Sequence, residues 1–450
     1  MLRTQNSWLR NSAAGMTVNA SPRTSGEALR VAAFSRKAAC LLPLLALASI
    51  GQAQTELMGT RLGEQVQTTL TDPAFQQGGW DAFRLAPPRM SPSWSSGDFS
   101  VQLAAVAQVF YDDNILQDNL DRLGDMRFSL DPSVHLRWDP STAPAGTGVE
   151  VFFAPQLEWF DRYSQFNTVN YYGGADLAAF FGRTSGILHY RTALSSEPEM
   201  LQTARNQQHT ENVSFEGTHE LGGKTRLSSQ FELGYGDISG GSQYWEFGGR
   251  LLLEYHLRER LALGAGYGLR YVDTQPGFGM LFNEPQAELL WAYTDRLHIT
   301  LRAGVEIGMV EGSAAAGTQM GPLVAGSLSY AATEKTDLRL ELSRQSQPSY
   351  YSTAQLDDLT RVSLGMRHRF SERIFADLNG EAGYDTQTNP LANSASAGSY
   401  AFWSVGCLIG YVLTPHMDVA LTYRYFERTG NLDTPAFDRN VGGVRLTYRF

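Results

Sequence analysis

The chain has 450 residues, a formal net charge of −10, and only 18% charged residues. Nucleic-acid binders need concentrated Lys and Arg to replace counterions along the phosphate backbone, and no basic run occurs here, so that class is excluded. Forty-four glycines and 11% aromatics suit neither a helical membrane protein nor a Leu/Ala-rich helical enzyme, but they do suit strands with two unlike faces.

At the N-terminal end, Arg36 and Lys37 precede an apolar run from Ala38 to Ile50. Gly51-Gln52-Ala53 then offers the small residues at −3 and −1 that a signal peptidase requires. Residues 1–53 therefore read as a signal peptide with an extended n-region, cleaved before Gln54, with Met16 as an alternative start. The apolar core, about 13 residues, is too short to cross ~30 Å of hydrocarbon as a helix. Cys40 precedes this run instead of closing it, which argues against a lipoprotein anchor. Cleavage leaves Cys407 as the lone cysteine, so the mature chain has no internal disulfide and no CxxC metal pair. Residues 54–98, rich in Gln, Thr, Pro and Gly and including Pro87-Pro88 and Pro92, read as a periplasmic lead-in.

From Phe99 onward, segments of 9 to 15 residues alternate apolar and polar side chains. The clearest runs Leu297, Ile299, Leu301, Ala303, Val305, Ile307 and Met309 against His298, Thr300, Arg302, Gly304, Glu306 and Gly308. Period two over such a length is a strand signal, and the length matches a strand crossing a bilayer at a tilt. No later stretch holds 18 consecutive apolar residues, so membrane insertion would require a closed barrel, the one sheet that pairs all its backbone groups. Short turns are predicted at 140–147, 183–185, 221–224, 257–260, 294–296, 332–336, 371–373 and 414–416. They imply a transmembrane antiparallel up-and-down β-barrel over residues 99–450 with about 18 strands, 16 being the alternative count, and both termini on the periplasmic side. Aromatic pairs such as Trp159-Phe160, Tyr244-Trp245, Tyr350-Tyr351 and Phe402-Trp403 are expected to form the two interfacial girdles.

The last strand places Val444, Leu446, Tyr448 and Phe450 outward and Arg445, Thr447 and Arg449 inward. A chain ending on phenylalanine resembles clients of the outer-membrane assembly machinery, so Tyr448 and Phe450 are candidate assembly-signal residues. The polar phase of the strands holds Arg226, Gln230, Glu232, Arg270, Arg302, Glu306, Arg339, Glu341, Arg367, Asp377, Asn379, Glu381, Arg424, Arg445 and Arg449. Facing lipid, each Arg at mid-membrane would cost about 2–4 kcal/mol, so these groups are expected around water as pore-lining residues. A wall-stiffening network of ion pairs is the plainer reading of any single one.

Val109-Phe110-Tyr111-Asp112-Asp113-Asn114-Ile115 and the return segment Ser129-Leu130-Asp131-Pro132-Ser133-Val134-His135-Leu136 resemble the putative β-barrel porin 2 family. The resemblance covers about 30 residues, and it departs from the family where Leu-Asp-Pro-Ser stands in place of a Pro-Gly pair. It implies an outer-membrane barrel, in some members associated with exopolysaccharide synthesis, and it carries no catalytic residues.

Other chemistry is thin. Gly217 to Thr225 nearly spells a phosphate-binding loop, but its spacing is off by one and no helix follows. His219-Glu220 lacks a second histidine four positions on. Asp112-Asp113 and Asp357-Asp358 read as turn-forming acids at loop bases, with cation binding as the rarer alternative. No loop exceeds about 15 residues, and none is expected to fold inward as a constriction. The expectation is a Gram-negative outer-membrane channel, reached by export through the periplasm, that uses no cofactor or metal and is not an enzyme. It would pass hydrophilic solutes or exopolysaccharide by diffusion or assisted export. The alternatives are a structural or adhesive barrel with a closed lumen and an outer-membrane hydrolase. Expected partners are outer-membrane lipid, lipopolysaccharide, the barrel-assembly machinery and polysaccharide or small sugars, with no nucleic acid.

Overall fold

The computed structural model describes residues 93–117, 122–141, 147–196, 207–239, 243–275, 279–310, 318–348, 356–388, 398–430 and 436–450. The signal peptide, most of the lead-in and the Tyr350-Tyr351 pair lie outside the described residues. A short strand β1 (Trp94–Ser96) is followed by β2 (Phe99–Asp112), β3 (Asp125–Trp138), β4 (Gly148–Phe160), β5 (Thr168–Phe181), β6 (Thr184–Ser195) and β7 (Gln208–Gly222). Then come β8 (Thr225–Ile238), β9 (Gln243–Arg258), β10 (Leu261–Gln275), β11 (Gly279–Thr294), β12 (Leu297–Val310) and β13 (Thr318–Thr333). The last six are β14 (Thr336–Pro348), β15 (Leu356–Arg369), β16 (Ile374–Thr388), β17 (Gly398–Thr414), β18 (Met417–Thr429) and β19 (Phe437–Arg449).

Strands β2 to β19 each pair antiparallel with their chain neighbours, and β19 pairs back onto β2, with Val441 opposite Asp112 and Arg449 opposite Ala104. The result is a closed barrel of 18 strands, 12 to 17 residues each. Closure removes the sheet edges that lipid could not satisfy. All eight predicted turns fall at strand connections on one end of the barrel, which fixes the count at 18 over 16. β1 lies in the segment read as lead-in. It pairs Trp94 with Val101 and Ser96 with Phe99, covering the part of β2 that β19 does not reach.

Local chemistry makes the short turns. Two-residue hairpins favour primed turns, which need positive φ, and Gly97 (φ +58°) and Gly182 (φ +61°) supply it before β2 and β6. Four other turns open with a hydroxyl that accepts a backbone N–H two residues on: Thr294 from Arg296, Thr333 from Lys335, Ser371 from Arg373 and Thr414 from His416.

Strict alternation sorts the two faces. Along β12, Leu301, Val305 and Met309 are exposed outward, while Thr300 and Glu306 on the other phase are buried. The same rule corrects the expected girdles. Adjacent residues point to opposite sides of a strand, so Trp159, Trp245 and Trp403 reach the outer surface while Phe160, Tyr244 and Phe402 are buried on the inner face. Each pair contributes one ring to the girdle.

Candidate functional site in the barrel interior

All fifteen residues picked from the polar phase lie on the face opposite the exposed apolar side chains. Several meet one another. Arg270 Nη2 donates to Glu306 (2.6 Å), Arg367 Nε to Asp377 (2.7 Å), and Arg339 pairs with Glu341. Others meet acids or bases that the sequence reading passed over. Arg226 binds Glu254 at 2.5 Å, with Ser228 donating to the same carboxylate, and Glu381 pairs with Arg361 at 3.4 Å. Glu232 accepts from Asn212 at 2.5 Å, Arg424 reaches Ser404 at 3.5 Å, and Arg449 binds Asp418 at 2.5 Å. Arg445 and Asn379 stand on the same inner phase of β19 and β16. Arg302 makes no ion pair among the described residues, although Glu288 sits opposite it in the register, and both amide atoms of the buried Gln286 lack a partner in the protein.

Asp112, read as a turn former, is instead the centre of a buried ion-pair hub. It is fully buried and takes Arg439 Nη2 of β19 at 2.5 Å and Arg127 Nη1 of β3 at 3.2 Å, while Arg127 Nη2 continues to Glu158 of β4 at 2.5 Å. Asp113 accepts the backbone N–H of Asn440 at 2.7 Å, and Asn114 Nδ2 donates to Asp438 O at 2.8 Å. The Tyr-Asp-Asp-Asn motif thus joins the first barrel strand to the last. Arg127 and Glu158 were discoverable, because each lies on the inner phase of its strand. Among the described residues no group of three or more His, Cys, Asp or Glu could hold a metal ion.

A second hub lies on the inner face around Arg270. Arg270 also reaches Glu284 (3.2 Å) and Glu246 (3.8 Å), lies 4.0 Å over the Phe282 ring, and donates to the carbonyl of Ser346 at 2.7 Å. Glu306 accepts the Ser346 N–H at 2.8 Å. Ser346 belongs to the outward phase of β14, with Leu340, yet it touches inner-phase groups of β10 and β12. Leu356 behaves alike. It shares the outward phase of β15 with Val362 and Leu364, but is fully buried in a cluster with Val272, Met280, Phe282 and Val310 of β10 to β12. Outward-phase residues can meet the inner wall only if the loop-side ends of β14 and β15 are tucked inside the barrel. The expectation that no loop folds inward concerned loop length and does not reach this feature, which is made by strand ends.

Residues 311–450, from the approach to β13 through β19, match the model of the family described as putative beta-barrel porin 2. No curated protein matches the sequence. Among solved structures, the outer membrane protein OpdK of Pseudomonas aeruginosa is 12% identical, with 78% of this chain and 99% of that chain covered and a TM-score of 0.41. OccK2 (OpdF) of the same organism is 12% identical over 78% of this chain and 98% of that one, with a TM-score of 0.42. OccAB2 of Acinetobacter baumannii is 10% identical over 79% and 100%, with a TM-score of 0.40. The family match covers 140 of the 450 residues and spans strands β13 to β19 of the closed antiparallel barrel.

Proposed function

We propose that the barrel is a channel passing small hydrophilic solutes or an extended polysaccharide across the outer membrane, by diffusion or assisted export and without a chemical step. The carrying observation is the inner face itself, lined over its length by Arg, acids and amides inside a wall of 18 strands. A barrel of that size leaves an aqueous lumen unless it is plugged. Acids and bases are mixed and mostly paired, which suits a polar, weakly charged solute such as a sugar. Arg302 and Gln286 are among the groups left over for it in the described residues. In this reading residues 1–53 direct export, assembly reads Tyr448 and Phe450, and lipopolysaccharide surrounds the loop-side rim.

The test is single-channel conductance of the chain refolded from residue 54 onward in planar bilayers, with neutral sugars added. Stable steps that sugars reduce, less so in Arg302→Ala, are the expected result. A second reading, a barrel closed by its own side chains, draws on the tucked ends of β14 and β15 and on the buried inner rings of Tyr400, Phe402 and Phe437. A correctly folded barrel that stays electrically silent would favour it.

A further inference from the structure

The seam between β13 and β14 differs from its neighbours. Pairing runs from the turn as far as Val324 opposite Arg344 and stops, although β13 continues for six more residues, Thr318–Leu323, all still paired with β12. The sequence contains the reason. Ala331 N–H bonds Arg296 on the β12 side, so the even-numbered residues of β13 turn their N–H groups toward β14. The next donor due after Val324 is Pro322, which has no N–H. The Ser346 carbonyl, which would have accepted it, takes Arg270 instead, and its N–H takes Glu306. β14 then passes behind β13 beside Gly321, where an added Cβ would lie in ordinary contact, 3.5 Å from Ser346 Oγ.

Two further observations bear on what this seam is for. Its outer side is apolar: the β12 residues alongside it present Val305 and Met309 to the outside, and Met320 on β13 is 70% exposed. Directly behind it, the interior holds an apolar niche of Val272, Met280, Phe282 and Val310, filled by the side chain of Leu356.

We propose that the β13–β14 seam is a lateral portal between the outer leaflet and the lumen, and that the niche behind it binds a hydrocarbon chain, whose place Leu356 takes while the portal is shut. Parting the seam breaks no backbone ladder beyond Arg344. It releases the two bonds on Ser346 and withdraws Leu356, exposing an apolar surface that continues from the lipid-facing wall. The ligand class is an amphiphile with a flexible acyl chain. This function is separate from aqueous conduction and does not rest on it.

The experiment places a photoreactive group in the niche, Phe282→p-benzoylphenylalanine, in the full chain folded into phosphatidylcholine vesicles, and detects phospholipid adducts by mass spectrometry. Phe110, on the inner phase of β2, serves as the control position. Adducts at 282 that rise severalfold in Leu356→Ala, with none at 110, are expected. Folding is checked by heat-modifiable mobility. A second variant needs no loss of side chains: Gly321→Cys with Ser346→Cys, on a Cys40→Ser, Cys407→Ser background, locks the tuck under oxidation. The lock should abolish the adducts, and reductant should restore them. Adducts at 282 no more frequent than at 110 in Leu356→Ala, or unaffected by the lock, would overturn the portal whether or not the barrel conducts ions.

Discussion

Asp112 shows how much of the barrel's closure rests on single buried groups. Its carboxylate is out of contact with water and bound by guanidinium groups from β19 and β3. Removing one partner of such a set leaves buried charge unmatched, which typically costs about 3–5 kcal/mol. Asp112→Asn should therefore lower stability by an amount in that range in urea titrations of the vesicle-folded barrel. Arg122 makes the contrast, since it pairs with Asp113 at 2.5 Å and Asp438 at 3.0 Å but its side chain is 36% exposed. Surface pairs are screened and contribute about 0–1 kcal/mol, so Arg122→Ala should fall below that ceiling. Equal effects would mean that the seam is held by its backbone ladder alone. At residue scale, Tyr-Asp-Asp-Asn is the latch of the first barrel strand on the last.

At the scale of the strand, phase decides everything. Leu301 and Arg302 are neighbours on β12 with opposite surroundings, one 47% exposed on the outer face, the other turned inward. Leu301→Arg should destabilise the folded barrel by about 2–4 kcal/mol near the membrane midplane. Arg302→Leu should cost far less, because no described ion pair is lost. The two unfolding free energies in one lipid check the assignment, and the reverse order would mean that β12 is registered one residue out. This strictness is why the fold was legible. Period two marked each strand, turn residues such as Thr294 and Gly182 marked each short connection, and both signals are local. The tuck of β14 and β15 was not legible for the opposite reason. It depends on Arg270 meeting the backbone of Ser346, 76 residues away, and on Pro322 interrupting a ladder whose partner strand cannot be judged from either segment alone. The inner phase likewise announced which residues face inward, such as Arg226 and Glu381, but not that each would find its partner on another strand, Glu254 and Arg361 respectively.

For the whole molecule, what matters is the balance of charge within the wall. Arg270 is shared among Glu246, Glu284 and Glu306, and Arg226, Arg361, Arg367 and Arg449 are each matched to an acid. Matched pairs present dipoles to a passing ion instead of a net field, so an open channel should discriminate weakly between anions and cations. Arg302 departs from this balance, with no ion pair among the described residues. Arg302→Glu changes the local charge by two and sets a second acid beside Glu288, the residue opposite it in register. The reversal potential under a salt gradient should then move toward cation preference. The movement should shrink as salt rises toward 1 M, where the screening length falls to about 3 Å and a fixed charge no longer reaches across an aqueous lumen. A reversal potential that does not move at low salt would place Arg302 away from the conduction path, and the tucked ends of β14 and β15 would then have to divert ions from the β12 wall.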